Sequence, residues 1–364
     1  MDAAQIKLED LILAAYEAKA SDLFIKGGQY PMMKQYSEVS PLMGDWPLLD
    51  PKNAERILRA VMSDTQQKEF DRELEFDLGI MVPGKCRVRV NIYSERGNYA
   101  SVCRVVPLSI PTLEDLGLPP ILRQFTTFNQ GLVLVTGPTG CGKTTTLAVM
   151  LDLINQSRKG HIVTIEDPLE FVHQDKQCYV SQRELGIDTH NYNHALRATL
   201  RQAPDIILIG EMRDTDTMNV ALQAGETGHL VFSTVHTASA YETLDRVINM
   251  FPPHEKHHIC QRMANSLRGV IAQKLVPRAD GKGRVVCNEI LVCTPTVSKM
   301  IEDGAFHELY SAMKEGHHWG MQTMNESLIR YVGAGVVDAD MAMKYAGIAS
   351  ELKQALHSSH ETVH

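Results

Sequence analysis

The chain has 364 residues, 44% hydrophobic and 22% charged, with a formal net charge of −8. That is the composition of a globular protein of two to three domains able to bury a full core, and the acidic balance, with no run of five or more like charges, argues against a broad nucleic-acid footprint. The opening residues lack a basic segment followed by an apolar one, and no stretch approaches the ~18 apolar residues of a membrane span, so a cytoplasmic protein is expected.

Seven cysteines stand at 86, 103, 141, 178, 260, 287 and 293 with no C-x-x-C pair, so neither a structural zinc site nor a disulfide framework is expected. They read as reduced thiols, mostly in the core.

Ile6, Leu8, Leu11, Ile12 and Ala15 have helical spacing, Ser21-Asp-Leu-Phe-Ile25 reads as a strand, and a Pro-rich connection leads to a second helix near residues 53–62. Two alternating strands follow, Arg87-Val-Arg-Val-Asn-Ile-Tyr93 and Ala100-Ser-Val-Cys-Arg-Val-Val106, joined by the turn residues Glu95-Arg-Gly-Asn98. Residues 1–107 are therefore expected to form a small α+β domain. The stretch 108–120, with its prolines and the capping-box-like Thr112-Leu-Glu-Asp115, reads as an interdomain linker, leaving 121–364 as the larger domain.

Within 121–364 short apolar runs alternate with helical patterns: Leu132 to Val135, His161 to Ile165, Ile206 to Ile209, Leu230 to Val235, Val270 to Val276 and Val285 to Val292. Such alternation predicts an α/β fold, a mostly parallel sheet with helices on both faces in the RecA-like arrangement, whose ligands bind beyond the carboxyl ends of the strands. Gly137-Pro-Thr-Gly-Cys-Gly-Lys-Thr-Thr145 fits the pattern G-x-x-x-x-G-K-[ST] and sits between the first of these strands and a helix pattern carrying Leu147, Leu151 and Ile154. Glycines let a loop fold its N–H groups around a phosphate chain, while the lysine reaches the β/γ-phosphates and the following hydroxyl can ligate Mg²⁺. The expected nucleotide-binding set is Gly137, Pro138, Thr139, Gly140, Cys141, Gly142, Lys143, Thr144 and Thr145, with ATP and Mg²⁺ as ligands and Thr144 the metal-side residue. A Gly-rich turn that merely joins strand to helix is the bland alternative.

Glu211 lies just past the strand 206–209, a Walker B position, but Gly210 precedes it where many phosphate-loop enzymes have a Mg²⁺-holding Asp. Glu211 is a candidate general base or water-orienting group, the alternative being a helix-terminal acid stabilised by the macrodipole. Glu166-Asp-Pro-Leu-Glu170 places three carboxylates at another strand end. His229 and His236 flank one strand about 23 Å apart if it is extended, so both cannot touch one γ-phosphate. His236, at the carboxyl end, is the candidate γ-phosphate sensor; His229 is either a supporting residue or a satisfied half-buried histidine.

These motifs, together with Gly225-Glu-Thr-Gly-His-Leu-Val-Phe-Ser-Thr-Val-His236, Ala20-Ser-Asp-Leu23 and Gly320-Met-Gln-Thr323, resemble the secretion-type ATPases and more narrowly the type IV pilus retraction ATPases (PilT/PilU) over nearly the whole chain. The resemblance implies an ATP hydrolase: a homohexameric cytoplasmic ring, peripheral to the inner-membrane pilus base, that couples hydrolysis to motion between a PAS-like N-terminal domain and a RecA-like domain. Pilus retraction and twitching motility follow. It further implies an Asp-box base at Glu170, a Walker B glutamate at Glu211, His-box residues His229 and His236, and arginines Arg87, Arg89 and Arg104 that approach ATP across domains or subunits. An arginine delivered this way stabilises charge on the transferring phosphoryl group; the alternative is three strand arginines in surface ion pairs. A partner retraction ATPase and an inner-membrane platform protein are the implied partners.

Two departures stand out. The retraction motor's hexapeptide Ala-Ile-Arg-Asn-Leu-Ile is replaced by Thr296-Val-Ser-Lys-Met-Ile301, which points toward the accessory retraction paralogue and keeps open a nucleotide-binding scaffold whose own hydrolysis is dispensable. Cys141 stands where the family commonly has Ser, a thiol open to oxidation if exposed. A RecA-like nucleic-acid translocase is a remote alternative that the fold permits and the charge disfavours. Met341 and Met343 are expected to fill gaps between helices, and the tail 358–364 to fray.

Overall fold

A computed structural model describes residues 3–35 and 38–361. The chain divides into two compact units, Met1–Ser109 and Ile110–His364.

In the first unit the elements run α1 (Leu8–Glu17), β1 (Asp22–Lys26), β2 (Met32–Gln35), β3 (Glu38–Pro41), α2 (Pro51–Arg59), α3 (Asp64–Glu73), β4 (Glu75–Val82), β5 (Cys86–Glu95) and β6 (Asn98–Pro107). The six strands form one antiparallel sheet in the order β3-β2-β1-β6-β5-β4. Leu11 and Ile12 of α1, Ile57 and Leu58 of α2, and Val88, Val90 and Ile92 of β5 are at most 1% exposed and form its core. Helix α2 starts where it does because the Asp50 carboxylate accepts from the Asn53 N–H at 2.8 Å and Pro51 needs no partner for a missing N–H. The β5–β6 hairpin closes through Arg96 and Gly97, both with positive φ, the tight turn whose twist matches the strands.

Strands β2 and β3, helix α3 and strand β4 go beyond the sequence expectation, which has only a Pro-rich connection and one helix before the hairpin. β2 and β3 have four residues each and bury little, so no periodicity marks them. β4 does alternate, with Phe76, Leu78, Ile80 and Val82 on one side, but carries Glu75, Asp77 and Gly79 between them.

The second unit runs α4 (Ile121–Phe125), β7 (Gly131–Thr136), α5 (Lys143–Ser157), β8 (Gly160–Glu166), β9 (Cys178–Glu184), α6 (Tyr192–Thr199), β10 (Ile206–Ile209), α7 (Thr215–Glu226), β11 (Leu230–Val235), α8 (Ala240–Asn249), α9 (Lys256–Ser266), β12 (Leu267–Pro277) and β13 (Arg284–Val292). Five helices follow: α10 (Pro295–Glu302), α11 (Leu309–Glu315), α12 (Met324–Gly333), α13 (Ala339–Tyr345) and α14 (Ala349–Glu361). The sheet order is β13-β12-β7-β11-β10-β8-β9, parallel throughout except for β12 with β13. Every residue of β7, β10 and β11 is buried, as befits parallel strands covered on both faces. β9, a polar edge strand, was not expected; its one buried apolar residue, Cys178, leaves no apolar run to read.

The stretch 110–120 gives Leu113 and Leu118 to the core of this unit, and Thr112 and Asp115 exchange backbone-to-side-chain hydrogen bonds at 2.9 and 3.1 Å around a turn rather than a helix. A further cluster joins β12 and β13 to the C-terminal helices through Val276, Cys287, Leu328 and Leu352, with Met341 and Met343 half-buried against it. The expected fraying of 358–364 needs correction in part. α14 anchors itself through buried Leu352 and Leu356 and stays helical to Glu361, while residues 362–364 lie outside the described residues.

Gly269, beside a register shift in β12, faces the Phe125 ring and lies where a Cβ would sit 2.8 Å from Leu291 O. Gly269→Ala is expected to lower stability by about 1–3 kcal/mol through overpacking. Gly333→Ala, in α12 with open space around it, should be neutral or stabilising by up to about 1 kcal/mol. Urea unfolding of the two variants checks both, and equal effects would contradict the packing described.

Candidate functional site

Parallel register brings four loops to one end of the second sheet. Ile165 pairs with Ile209, Ile209 with Ser233, and Val235 with Thr136, so the chain leaves β8, β10, β11 and β7 side by side. They surround a cavity of about 530 Å³ lined by Thr139, Gly140, Gly142, Lys143, Thr144 and Thr145 from the phosphate-type loop, and by Glu166, Asp167, Glu170, Gly210, Glu211 and His236 opposite.

The loop owes its shape to residues that other side chains cannot replace. Gly137, Gly140 and Gly142 all have positive φ, and a Cβ on Gly137 would collide with Gln273 O and the Cys141 sulfur. Gln273, fully buried in β12, donates from Nε2 to Cys141 O at 2.7 Å and accepts from the Thr146 hydroxyl at 2.9 Å. One amide thus ties the middle of the loop to the first turn of α5. Lys143, 8% exposed, donates from Nζ to Gly137 O at 2.9 Å and Pro138 O at 3.2 Å. Burial lowers its pKa, while the nearby Cys141, Glu211 and Glu170 work the other way.

Opposite the loop, Gly210 is pinned by its N–H to Ile165 O at 2.8 Å and by the Thr234 hydroxyl donating to its O at 2.6 Å, which fixes the base of Glu211. The Glu211 carboxylate accepts from Arg213 at 2.7 Å and meets His236 Nε2 at 3.2 Å, while His236 Nδ1 lies 3.4 Å from Lys143 Nζ. Burial works to raise the Glu211 carboxyl, but the hydrogen bond from Arg213 and the charges of His236 and Arg213 outweigh it and hold it below the usual carboxylate range. Glu211 is therefore an ionised acceptor, not a helix-terminal acid: α7 begins later and is capped by Asp214. Glu166 differs. It accepts from Thr164 at 2.7 Å and Gln182 at 3.3 Å, yet burial pushes it up to about 7.

Of the residues expected from sequence, Glu170, Glu211 and His236 meet Thr139, Gly140, Gly142, Lys143, Thr144 and Thr145 in this one cavity, whereas Gly137, Pro138 and Cys141 of the same loop do not line it. His229 stands at the far end of β11, where Nδ1 lies 3.1 Å from Ala224 O. Arg87 and Arg89 on β5 and Arg104 on β6 belong to the first unit; Arg89 faces Arg104 across the strand pair, and Arg104 donates to the buried Asp22 at 3.0 Å. Cys141 does not meet the exposure on which its oxidation is conditional: the residue is 3% exposed and burial raises its pKa, which disfavours the reactive thiolate. The sequence reading missed Arg213, Gln273, Tyr192 and Arg284, of which all but the buried Gln273 line the cavity. A glutamine in the middle of the apolar run 270–276 is the signal that could have found Gln273.

The site fits a nucleotide and a hard divalent cation by the chemistry of its donors. The lysine and the loop amides suit phosphate, and the Thr144 hydroxyl with the Glu170 and Glu211 carboxylates offers only oxygen, the donor Mg²⁺ takes. Among the described residues no group of three or more His, Cys, Asp and Glu could hold a metal by itself, and no helix is long and apolar enough to cross a membrane.

The model of the type II/IV secretion system protein family matches residues 5–327. The chain is 43% identical over 338 residues to the type IV pilus retractation ATPase PilT of Pseudomonas aeruginosa, covering 92% of this chain and 97% of that protein. It is 38% identical over 348 residues to the type IV pilus ATPase PilU of the same organism, covering 96% and 91%. The crystal structure of the pilus retraction motor PilT with bound ADP superposes with a TM-score of 0.89 at 36% identity, covering 96% of this chain and all of that one.

Because Glu166 holds its proton up to about pH 7 in the folded chain, against an ordinary value of 4.5, the folded state binds more protons than the unfolded state between those limits. Its contribution to stability is complete below about pH 4.5, is lost as pH rises to about 7, and amounts to a few kcal/mol. Glu166→Gln is neutral at every pH and should flatten this fall. Urea midpoints of both proteins at pH 5, 6, 7 and 8 check it; parallel pH profiles would refute the assignment.

Proposed function

The chain belongs to the type II/IV secretion system protein family, and we propose that it is a subunit of a homohexameric ATPase motor that couples ATP hydrolysis to type IV pilus retraction and twitching motility. The observation that carries this reading is the single cavity in which His236 stands within hydrogen-bonding reach of both Lys143 and Glu211 beside the phosphate-type loop.

In this reading ATP lies with its phosphates over Gly140 and Gly142, and Lys143 turns from the carbonyls of Gly137 and Pro138 toward the β/γ-phosphates. Thr144 would be the residue of the loop that holds Mg²⁺, since Gly210 offers no side chain. The metal, when bound, neutralises charge on the phosphates. Glu211 orients the attacking water and takes its proton, with Glu170 as a second carboxylate on the same wall. His236 touches both Lys143 and Glu211, so a γ-phosphate that draws Lys143 away alters the partner of Glu211 through a single imidazole. His229 supports the far end of the same strand. Arg87, Arg89 and Arg104 deliver positive charge to the nucleotide across domains or subunits, so that turnover depends on ring geometry. The ring works at the cytoplasmic side of the inner-membrane pilus base, against a platform protein and alongside a partner retraction ATPase.

A second reading, a nucleotide-gated accessory whose own turnover is dispensable, is favoured by the replaced hexapeptide. Those residues form α10, where Val297 and Ile301 are buried and Lys299 is exposed and paired with Glu302 and Asp303.

Glu211→Gln is expected to lower kcat by about 10²–10⁴ while nucleotide still binds, the span a positioned base contributes. Lys143→Ala should abolish nucleotide binding and turnover together. Calorimetric titration and phosphate release on the assembled protein separate the two, and wild-type turnover in Glu211→Gln would remove its role. In cells with an intact partner motor, lost retraction with Lys143→Ala supports the engine and normal retraction supports the accessory.

A further inference from the structure

The glycine at 210 has a structural counterpart on a neighbouring helix. A Cβ at position 210 would lie 2.8 Å from the Tyr192 hydroxyl oxygen, 3.2 Å from Ile165 O and 3.4 Å from Glu166 Cα. The direction in which a Walker B aspartate would project is taken by a phenol. Tyr192 reaches it from the first residue of α6, whose start is fixed by the Asn191 side chain accepting from the His194 N–H at 2.8 Å, and its ring packs against the core of the unit. Tyr192 and Gly210 line the cavity together with Glu166, Asp167 and Glu211. Burial, reinforced by the charges of Asp167, Glu166 and Glu211, raises the phenol, so it stays protonated at neutral pH and can both donate and accept.

We propose that the Tyr192 hydroxyl is a positioning group of the nucleotide site, filling the place of the absent side chain at 210 and orienting water toward the Glu211 carboxylate. This rests on the ATPase reading above. A neutral hydroxyl there lowers the negative charge that the incoming phosphates meet, and of the two carboxylates on the turn that follows β10, Glu211 and Asp214, only Glu211 lines the cavity. Glycine at 210 and tyrosine at 192 are then two halves of one device, since a larger residue at 210 would displace the phenol.

Two measurements on the full-length chain test this. Tyr192→Phe keeps the ring and removes only the hydroxyl; kcat for ATP should fall about tenfold, the factor corresponding to one hydrogen bond in the transition state. Calorimetric nucleotide affinity should stay within about twofold, since a group that orients water does not hold the nucleotide. Gly210→Ala should lower the melting temperature, and by less in the Tyr192→Phe background, a coupling expected only if the hydroxyl occupies that space. An unmoved kcat in Tyr192→Phe overturns the role while leaving the ATPase reading intact, as does an equal loss of affinity and kcat. An additive melting cycle overturns the placement. A wild-type chain that binds nucleotide and hydrolyses none overturns the ATPase reading and this role together.

Discussion

The nucleotide site depends on one buried amide. Gln273 lies in the middle of β12, fully shielded from water, and its two hydrogen bonds clamp Cys141 O and the Thr146 hydroxyl. A loop with three left-handed glycines has many conformations open to it, and most would scatter its N–H groups. The amide, with its backbone carbonyl close under Gly137, selects one of them. Buried polar partners left unmade cost about 1–3 kcal/mol each, so the clamp is a strong constraint and not an ornament. It also makes the phosphate-type loop an extension of β12 and its antiparallel partner β13, and through them of the C-terminal helices packed on that pair.

What was legible in the sequence follows from how each feature is built. β7, β10 and β11 read cleanly because both of their faces are covered and every residue is apolar or small. The loop read cleanly because its glycines and lysine are contiguous. Glu211 and His236 could be placed by the rule that parallel strands deliver ligand-binding residues at their carboxyl ends. Contacts between residues far apart in the chain were not legible. The approach of Tyr192 to Gly210 spans a helix and a strand, and the Gln273 clamp joins residues more than a hundred positions apart. Nor could burial of Cys141 be read from its neighbours, since a Gly-rich loop looks exposed until β12 is laid against it. In the first unit β2 and β3 escaped because four-residue strands with exposed side chains carry no period.

Around the cavity the charges are arranged in sequence: Lys143, His236, Glu211 and Arg213 touch one after the other. The outermost member, Arg213, is 73% exposed in its side chain while Glu211 is 19% exposed. The carboxylate is thus held ionised between a solvent-facing guanidinium and an inward-facing imidazole. Glu166, on the same wall, goes the other way and keeps its proton to near neutrality because it is buried with only hydroxyl and amide partners. Two carboxyl groups at neighbouring strand ends therefore serve opposite electrostatic purposes, one as an anion and one as a nearly neutral brace.

The Cys141 sulfur is wedged beneath Gly137, inside the floor of the loop, and its thiol is kept protonated by its surroundings. A reagent that attacks thiolates can reach this 3%-exposed residue only when the loop opens. The chain consequently carries its own clock for that opening: the rate at which this one sulfur is alkylated, set against the other buried cysteines, measures how often the cradle comes apart, and a ligand that grips the cradle slows that clock.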